Sequence, residues 1–120
     1  MIAIHVEKLN DLSVVACKGR IVRSDAVFKL RDVVITQADA RIIALDLSEV
    51  EAIGGGGLGM LAFLQNWADE HHIEFKLFSP SRSVMETLES TRSALAFEIA
   101  TFREMMNTLA SSDRRYSLAA

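Results

Sequence analysis

Cysteine, proline and glycine are all scarce in this 120-residue chain, and each scarcity removes a class of structure. A single cysteine, Cys17, leaves no intrachain disulfide to form. It lies in the apolar run Val14-Val15-Ala16-Cys17 and reads as a small buried hydrophobe rather than a reactive thiol. There is one proline, and five of the six glycines fall between Gly54 and Gly59, so the rest of the chain is almost free of breakers and should be mostly regular structure. No apolar run is long enough to cross a bilayer. His5, Glu7 and Lys8 near the N-terminus are unlike a signal peptide, so a cytoplasmic protein without membrane insertion is expected. Basic charge is not in excess either. The formal net charge of −3 argues against a nucleic-acid binder that neutralises phosphates. The one basic pair, Arg114-Arg115, stands in a polar terminal stretch that reads as a solvated tail.

What is present is an ordinary globular balance, 50% hydrophobic and 24% charged residues, at the length of one domain. In Ile2–Glu7, Ile2, Ile4 and Val6 alternate as in a half-buried strand. Asn10-Asp11 offers a turn, and Leu12–Lys18, closed by Gly19, completes a hairpin. Ser24-Asp25 is the expected N-cap and first-turn acid of a helix whose stripe is Ala26, Val27, Leu30, Val33 and Val34. Ile42–Leu47 is nearly continuous apolar sequence, the pattern of a central strand. A helix marked by Leu58, Leu61, Leu64, Trp67 and Ala68 reaches about Glu70, and Ile73–Phe78 is a further strand. Ser79-Pro80-Ser81 breaks the chain before a helix carrying Val84, Met85 and Leu88. Ala96–Ile99 is a short strand, and Thr101 caps a last helix through Phe102, Met105, Met106 and Leu109. The order β-β-α-β-α-β-α-β-α predicts an α/β fold, a mixed sheet of four to five strands with four helices and its later strands largely parallel. Residues 1–110 form the expected domain, and 111–120, polar or small and without pattern, a flexible C-terminal tail.

The segment Asp46-Leu47-Ser48-Glu49-Val50-Glu51-Ala52-Ile53, followed by Gly54-Gly55-Gly56-Gly57-Leu58-Gly59, carries the chemistry. Glycines there would admit unusual backbone dihedrals and close approach of another molecule. Free amides at the helix start would favour anions. Three readings compete. The run formally fits the dinucleotide fingerprint G-x-G-x-x-G. However, that fingerprint wants a strand leading directly into the glycines and an acid at the end of the next strand. Here a short connection is expected before the glycines, and Glu74 begins the next strand. The second reading is a plain connector, against which stands the entropy of four consecutive glycines. No Gly-Lys-Ser/Thr follows, so a Walker-type phosphate loop is excluded.

In the third reading the segment resembles the core of the STAS domain family, the bacterial anti-sigma-factor antagonists and their relatives. Asp46-Leu47-Ser48, Val50, Ile53 and Gly57-Leu58-Gly59 match that family's Asp-Leu-Ser, apolar and Gly-Leu-Gly positions. Lys18-Gly19-Arg20-Ile21, Leu77-Phe78-Ser79-Pro80-Ser81, Val84, Leu88-Glu89-Ser90-Thr91 and Phe97-Glu98-Ile99 extend the resemblance over roughly residues 2 to 110. The resemblance implies a protein-interaction module in a bacterial regulatory pathway, not an enzyme, with no cofactor. Its implied partner is an anti-sigma factor/serine kinase or a related regulator. The family's switch is an Asp-Ser pair whose serine a partner kinase phosphorylates. Here those positions are Gly54 and Gly55, the next position is Gly56, and Val22 replaces the family's aspartate after the second strand. Glycine has no hydroxyl, so no phosphate can be placed at Gly55. Ser48 and Ser24 are the nearest other hydroxyls, and backbone hydrogen bonding and helix capping are their simpler roles.

The implied partner surface is Ser24, Asp25, Ile53, Gly54, Gly55, Gly56, Gly57, Leu58 and Met60, with apolar burial beside the turn supplying most of the binding energy. Trp67, Phe63 and Phe75 fit core packing, although Met60 or Phe63 could serve as an exposed anchor. His71-His72 has neither spacing nor partners for a metal site and reads as a solvated helix end. Two other functions stay open: a cytosolic subunit of a lipid or anion transport complex, and a small nucleotide- or anion-binding domain. The sequence also leaves a homo-oligomer open.

Overall fold

The chain opens with two strands, β1 (Ile2–Leu9) and β2 (Leu12–Ile21), paired antiparallel from Leu9↔Leu12 to Ile2↔Gly19. Their two-residue loop begins with Asn10 at φ 62, a left-handed backbone that asparagine tolerates. The computed structural model describes residues 2–90, 97, 99–101 and 103–110. After the hairpin come α1 (Ser24–Ile35), β3 (Ile42–Ile53), α2 (Gly55–Glu70), β4 (Glu74–Phe78), α3 (Arg82–Ser90) and β5 (Ile99–Ala100). A last helical stretch occupies 103–110. The sheet order is β1-β2-β3-β4-β5, and every pair after the hairpin is parallel, so the expected mixed sheet has five strands and four helices. Residues 111–120, expected as a tail, and Ala96, Glu98 and Phe102 lie outside the described residues.

Alternation along the strands divides the side chains between two layers. On one face Val15, Ile43, Leu45, Phe75 and Leu77 pack with Leu30 and Val34 of α1, Leu61 and Leu64 of α2, and Val84 and Leu88 of α3. On the other face Leu12, Val14, Ile42, Ala44 and Phe78 meet Met105 and Leu109 of the last helix. Thr101 begins that helix as expected. Its Oγ1 accepts from the Glu104 amide at 3.1 Å, while Glu104 Oε1 accepts from the Thr101 amide at 3.1 Å, a reciprocal capping box. These hydrogen bonds, backbone first, hold the Glu104 carboxyl below its usual range.

Two strand ends differ from expectation for one reason. β2 does not close at Gly19 but runs to Ile21, and β3 does not end at Leu47 but runs to Ile53. Between Ala16↔Asp46 and Lys18↔Glu49, and again between Gly19↔Val50 and Arg20↔Ala52, β3 carries one residue more than β2. Each extra residue is a bulge, and each bulge resets the alternation. From Leu47 onward the buried residues of β3 therefore fall at Leu47, Val50 and Ile53, three apart, with Ser48 and Glu49 both exposed between the first two. Gly19 takes φ 119 opposite the second bulge. Ser48 lies mid-strand, and its amide donates to Asp46 Oδ1 at 2.9 Å, so the aspartate of the Asp-Leu-Ser motif satisfies a donor beside the first bulge.

Buried polar groups are few and paired. Ser13 Oγ donates to Gln37 Oε1 at 2.9 Å, and Gln37 Nε2 donates to Thr36 Oγ1 at 2.9 Å. Among the described residues no buried side-chain polar atom lacks a partner, and no helix is long and apolar enough to cross a membrane.

Candidate functional site

The ends of β2 and β3 lie side by side and launch α1 and α2. The Gly54 amide donates to the Ile21 carbonyl at 3.0 Å, locking the two strand ends together. Val27 N then bonds Arg23 O at 3.0 Å and Leu58 N bonds Gly54 O at 2.9 Å, the first turns of the two helices. Both helices begin without a side-chain cap. Ser24 was expected to cap α1, but it is the first helical residue, and Arg23 holds the cap position in extended backbone. The N-cap of α2 is Gly54, and no acid stands in its first turn.

β3 leads straight into Gly54, with no connection between, which removes one objection to the dinucleotide fingerprint. The other stands, because Glu74 is the first residue of β4. The glycines also do not adopt the unusual dihedrals expected of them. Gly19 is the only described glycine with positive φ, and Gly55, Gly56, Gly57 and Gly59 are helical. What they provide is space. A Cβ at Gly57 would lie 2.6 Å from the Ile21 carbonyl oxygen and 2.7 Å from Ile53 Cγ1. At Gly55 and Gly59 a Cβ would meet nothing within 4 Å, and at Gly56 only Val27 Cγ2, at 3.9 Å.

That space opens a groove of about 520 Å³ between α1 and α2. Ser24, Val27, Phe28 and Arg31 line one wall; Gly56, Gly59, Met60 and Phe63 line the other, with Val22 at the end. Each wall follows the i, i+3, i+4, i+7 spacing of a single helix face. Phe28 and Phe63 are 48% and 49% exposed, and Val22 42%. Three large apolar side chains thus stand half in water around one concavity. Among the described residues Arg31 is the only charged one lining the groove. Its guanidinium carbon stands 4.9 Å from the Phe28 ring centroid, and its Nε and Nη2 donate to the exposed Asp32 at 3.1 and 2.9 Å.

The structure therefore divides the expected surface. Ser24, Gly56 and Met60 line the groove, and Asp25 and Gly55 are exposed near it. Gly54 is half-buried, with Val22 Cγ1 3.4 Å from where its Cβ would stand. Ile53 and Leu58 are buried in the core, and Gly57 is buried beside them. Phe28, Arg31 and Val22 also line the groove although the expected surface did not include them, and of the two readings of Phe63, core packing or exposed anchor, the structure has it exposed. The signal was in the helical spacing. Phe28 and Arg31 lie off the stripe of Ala26, Val27, Leu30 and Val34, and Phe63 lies off that of Leu58, Leu61, Leu64 and Ala68.

Elsewhere the chemistry is sparse. A smaller hollow of about 280 Å³ on the opposite sheet face is lined by Ala3, His5, Ala16, Lys18, Asp46, Ser48 and Glu49, among others. Cys17 is buried in the core, and desolvation first, the Asp46 charge second, push its thiol up to about 12. His71 Nδ1 lies 2.7 Å from the Trp67 carbonyl, and its ring centroid 4.8 Å from that of Trp67. Among the described residues no three His, Cys, Asp or Glu side chains are grouped to hold a metal.

A mixed sheet with an antiparallel opening hairpin, helices on both faces and a groove at paired strand ends defines a small α/β domain. The sequence model of the STAS domain matches residues 3–111, and the chain belongs to the STAS family. Among solved structures it is similar to the anti-sigma factor antagonist SpoIIAA in its unphosphorylated form. That match has TM-score 0.73 at 16% identity, covering 91% of this chain and 97% of that one. It is equally similar to an anti-sigma factor antagonist from Mycobacterium paratuberculosis, with TM-score 0.74 at 18% identity, covering 92% of this chain and 95% of that one. The fold also matches part of a longer chain, SLC26A9, with TM-score 0.67 at 11% identity, covering 91% of this chain and 21% of that one. Among curated proteins, none matches this chain.

Proposed function

We propose that this STAS domain is a regulatory protein-interaction module of the anti-sigma-factor-antagonist type, and that the α1–α2 groove is its partner surface. The observation that carries this reading is the exposure of Phe28, Phe63 and Val22 around one concavity. Burying half of two phenylalanines on a partner supplies a hydrophobic anchor of the kind that dominates interface energies. The partner class is an anti-sigma factor/serine kinase or a related regulator; two solved structures that share the fold are anti-sigma factor antagonists. Phosphate transfer at the family's acceptor position is closed to it, because Gly55 stands there and Gly54–Gly59 contains no hydroxyl; Ser24 is the hydroxyl that lines the groove.

The test is affinity capture from the native lysate with the wild type and with Phe28→Ser/Phe63→Ser, read by mass spectrometry. A sigma-pathway regulator enriched by the wild type and lost with the double variant supports the reading. A permease or transport ATPase captured through the same residues would assign the domain to a transport complex instead. Identical profiles from two folded proteins would remove the groove as the interface.

A further inference from the structure

The groove specifies its occupant more closely than a partner surface in general. Resting on the reading above, we infer that it receives a helical segment of the partner whose apolar ridge carries an acidic residue. Three features lead there. Both walls are helix faces, Ser24 to Arg31 on α1 and Gly56 to Phe63 on α2, each running two helical turns, about 10 Å. A third helix laid along them meets ridges spaced as its own are, the helix-in-groove mode of recognition. Gly56 and Gly59 leave one wall bare to the backbone, and a Cβ at Gly59 would meet nothing within 4 Å, so the ridge of an incoming helix has room to seat. Such a ridge reads as apolar residues at i, i+3 or i+4, and i+7, packed on Phe28, Met60 and Phe63.

Charge fixes the remaining feature. Among the described residues Arg31 alone of the groove lining is charged, and Asp25 and Asp32 do not line the groove. Asp32, which holds the guanidinium, is an exposed sequence neighbour, and such pairs contribute little. A carboxylate on the incoming helix can take its place, making a charge-assisted hydrogen bond beside the Phe28 ring as water leaves. A basic residue there would meet Arg31 and have to share the exposed Asp32 with it, which disfavours partners of the opposite sign.

The test is selection of a displayed library of helix-forming peptides, about five turns long, against the folded domain. Four baits are compared: wild type, Arg31→Glu, Arg31→Lys and Phe28→Ser/Phe63→Ser. The expected outcome is wild-type enrichment of the apolar i, i+3/i+4, i+7 ridge with an Asp or Glu. Synthetic winners should bind Arg31→Glu roughly tenfold or more weaker, which corresponds to about 1.4 kcal/mol, and Arg31→Lys less weakly. Selection on Arg31→Glu should replace the acid by Lys or Arg. Winners that depend on Phe28 and Phe63 but show no helical spacing or acid overturn this inference and leave the groove as the interface. Winners indifferent to Phe28→Ser/Phe63→Ser, or no enrichment at all, overturn both. Circular dichroism of each bait establishes that it is folded before selection.

Discussion

Gly57 and Ile21 approach so closely that no side chain fits between them, since a Cβ at position 57 would lie 2.6 Å from the Ile21 carbonyl oxygen. That oxygen is also the acceptor of the Gly54 amide, so the contact seats the first turn of α2 on the end of β2. The obstacle is backbone and cannot swing aside. Gly57→Ala should therefore destabilise the fold by about 1–3 kcal/mol through overpacking. Gly59 lies in the same helix with open space around it, and Gly59→Ala should stabilise by about 0.5–1 kcal/mol through helix propensity. Urea denaturation of both variants measures the difference. Equal shifts of the same sign would mean that α2 does not sit on Ile21 as described. Position 57 is consequently unsuited to probing partner binding, because any substitution there perturbs the core first.

Phe28 and Phe63 should behave in the opposite way, mattering to the surface and little to stability. Each is half in water, and surface substitutions usually fall within about 0.5 kcal/mol, extended to about 1 kcal/mol here because half of each ring is packed. Phe28→Ser/Phe63→Ser should keep the folded circular dichroism spectrum and lose most binding of an apolar fluorescent dye. Loss of several kcal/mol of stability would place the two rings in the core and remove the groove as a contact surface.

The buried Ser13–Gln37 hydrogen bond gives a third expectation. Ser13 Oγ is the donor to Gln37 Oε1, and both residues are nearly inaccessible. Ser13→Ala leaves the Gln37 oxygen without that donor and should cost about 1–3 kcal/mol. The Cβ of alanine fits where that of serine stood, so no packing change accompanies it. Gln37→Leu in the Ser13→Ala background removes the stranded acceptor and should recover part of the loss. Thermal unfolding of the single and double variants reads the coupling directly.

The element order was legible because α1, α2 and α3 each repeat apolar residues at helical spacing, and Ile2–Val6 and Leu12–Cys17 hold alternation or a β-branched run. Legibility failed where the backbone departs from a simple period. β3 was cut at Leu47 because the two bulges carry its buried positions to Val50 and Ile53, three residues apart, a spacing that belongs to no regular strand. The same error inserted a connection before Gly54 that does not exist. For the groove, the glycine run pointed to the corner where α2 starts, but its composition could not separate Gly57, which packing requires, from Gly55 and Gly59, which it does not. Phe28 and Arg31 join the groove only because α1 and α2 lie side by side, a tertiary relationship that neither helix states alone. Phe63 had two readings, core packing or an exposed anchor, because a phenylalanine on a mostly apolar helix is usually core while its offset from Leu61 and Leu64 turns it outward, and it is 49% exposed.

Cys17 supplies the pH expectation. Burial, reinforced by Asp46, raises the thiol from its ordinary 9.0 to about 12 in the native state. The thiolate is disfavoured in the fold and unhindered in the unfolded chain. Its contribution is therefore fully present below the unfolded pKa of 9.0 and lost as pH rises from there toward about 12. Within that window the slope from this one group approaches about 1.4 kcal/mol per pH unit. Denaturant midpoints measured between pH 8 and 11, on the order of one unit apart, should fall more steeply for the wild type than for Cys17→Ala. That variant is itself somewhat less stable at pH 8, through the small cavity it leaves. A thiol reagent at pH 8 should likewise modify the native protein no faster than it unfolds, and react at once in urea. Rapid labelling of the folded chain, or identical pH slopes for the two proteins, would show that Cys17 is not sealed beneath the helices.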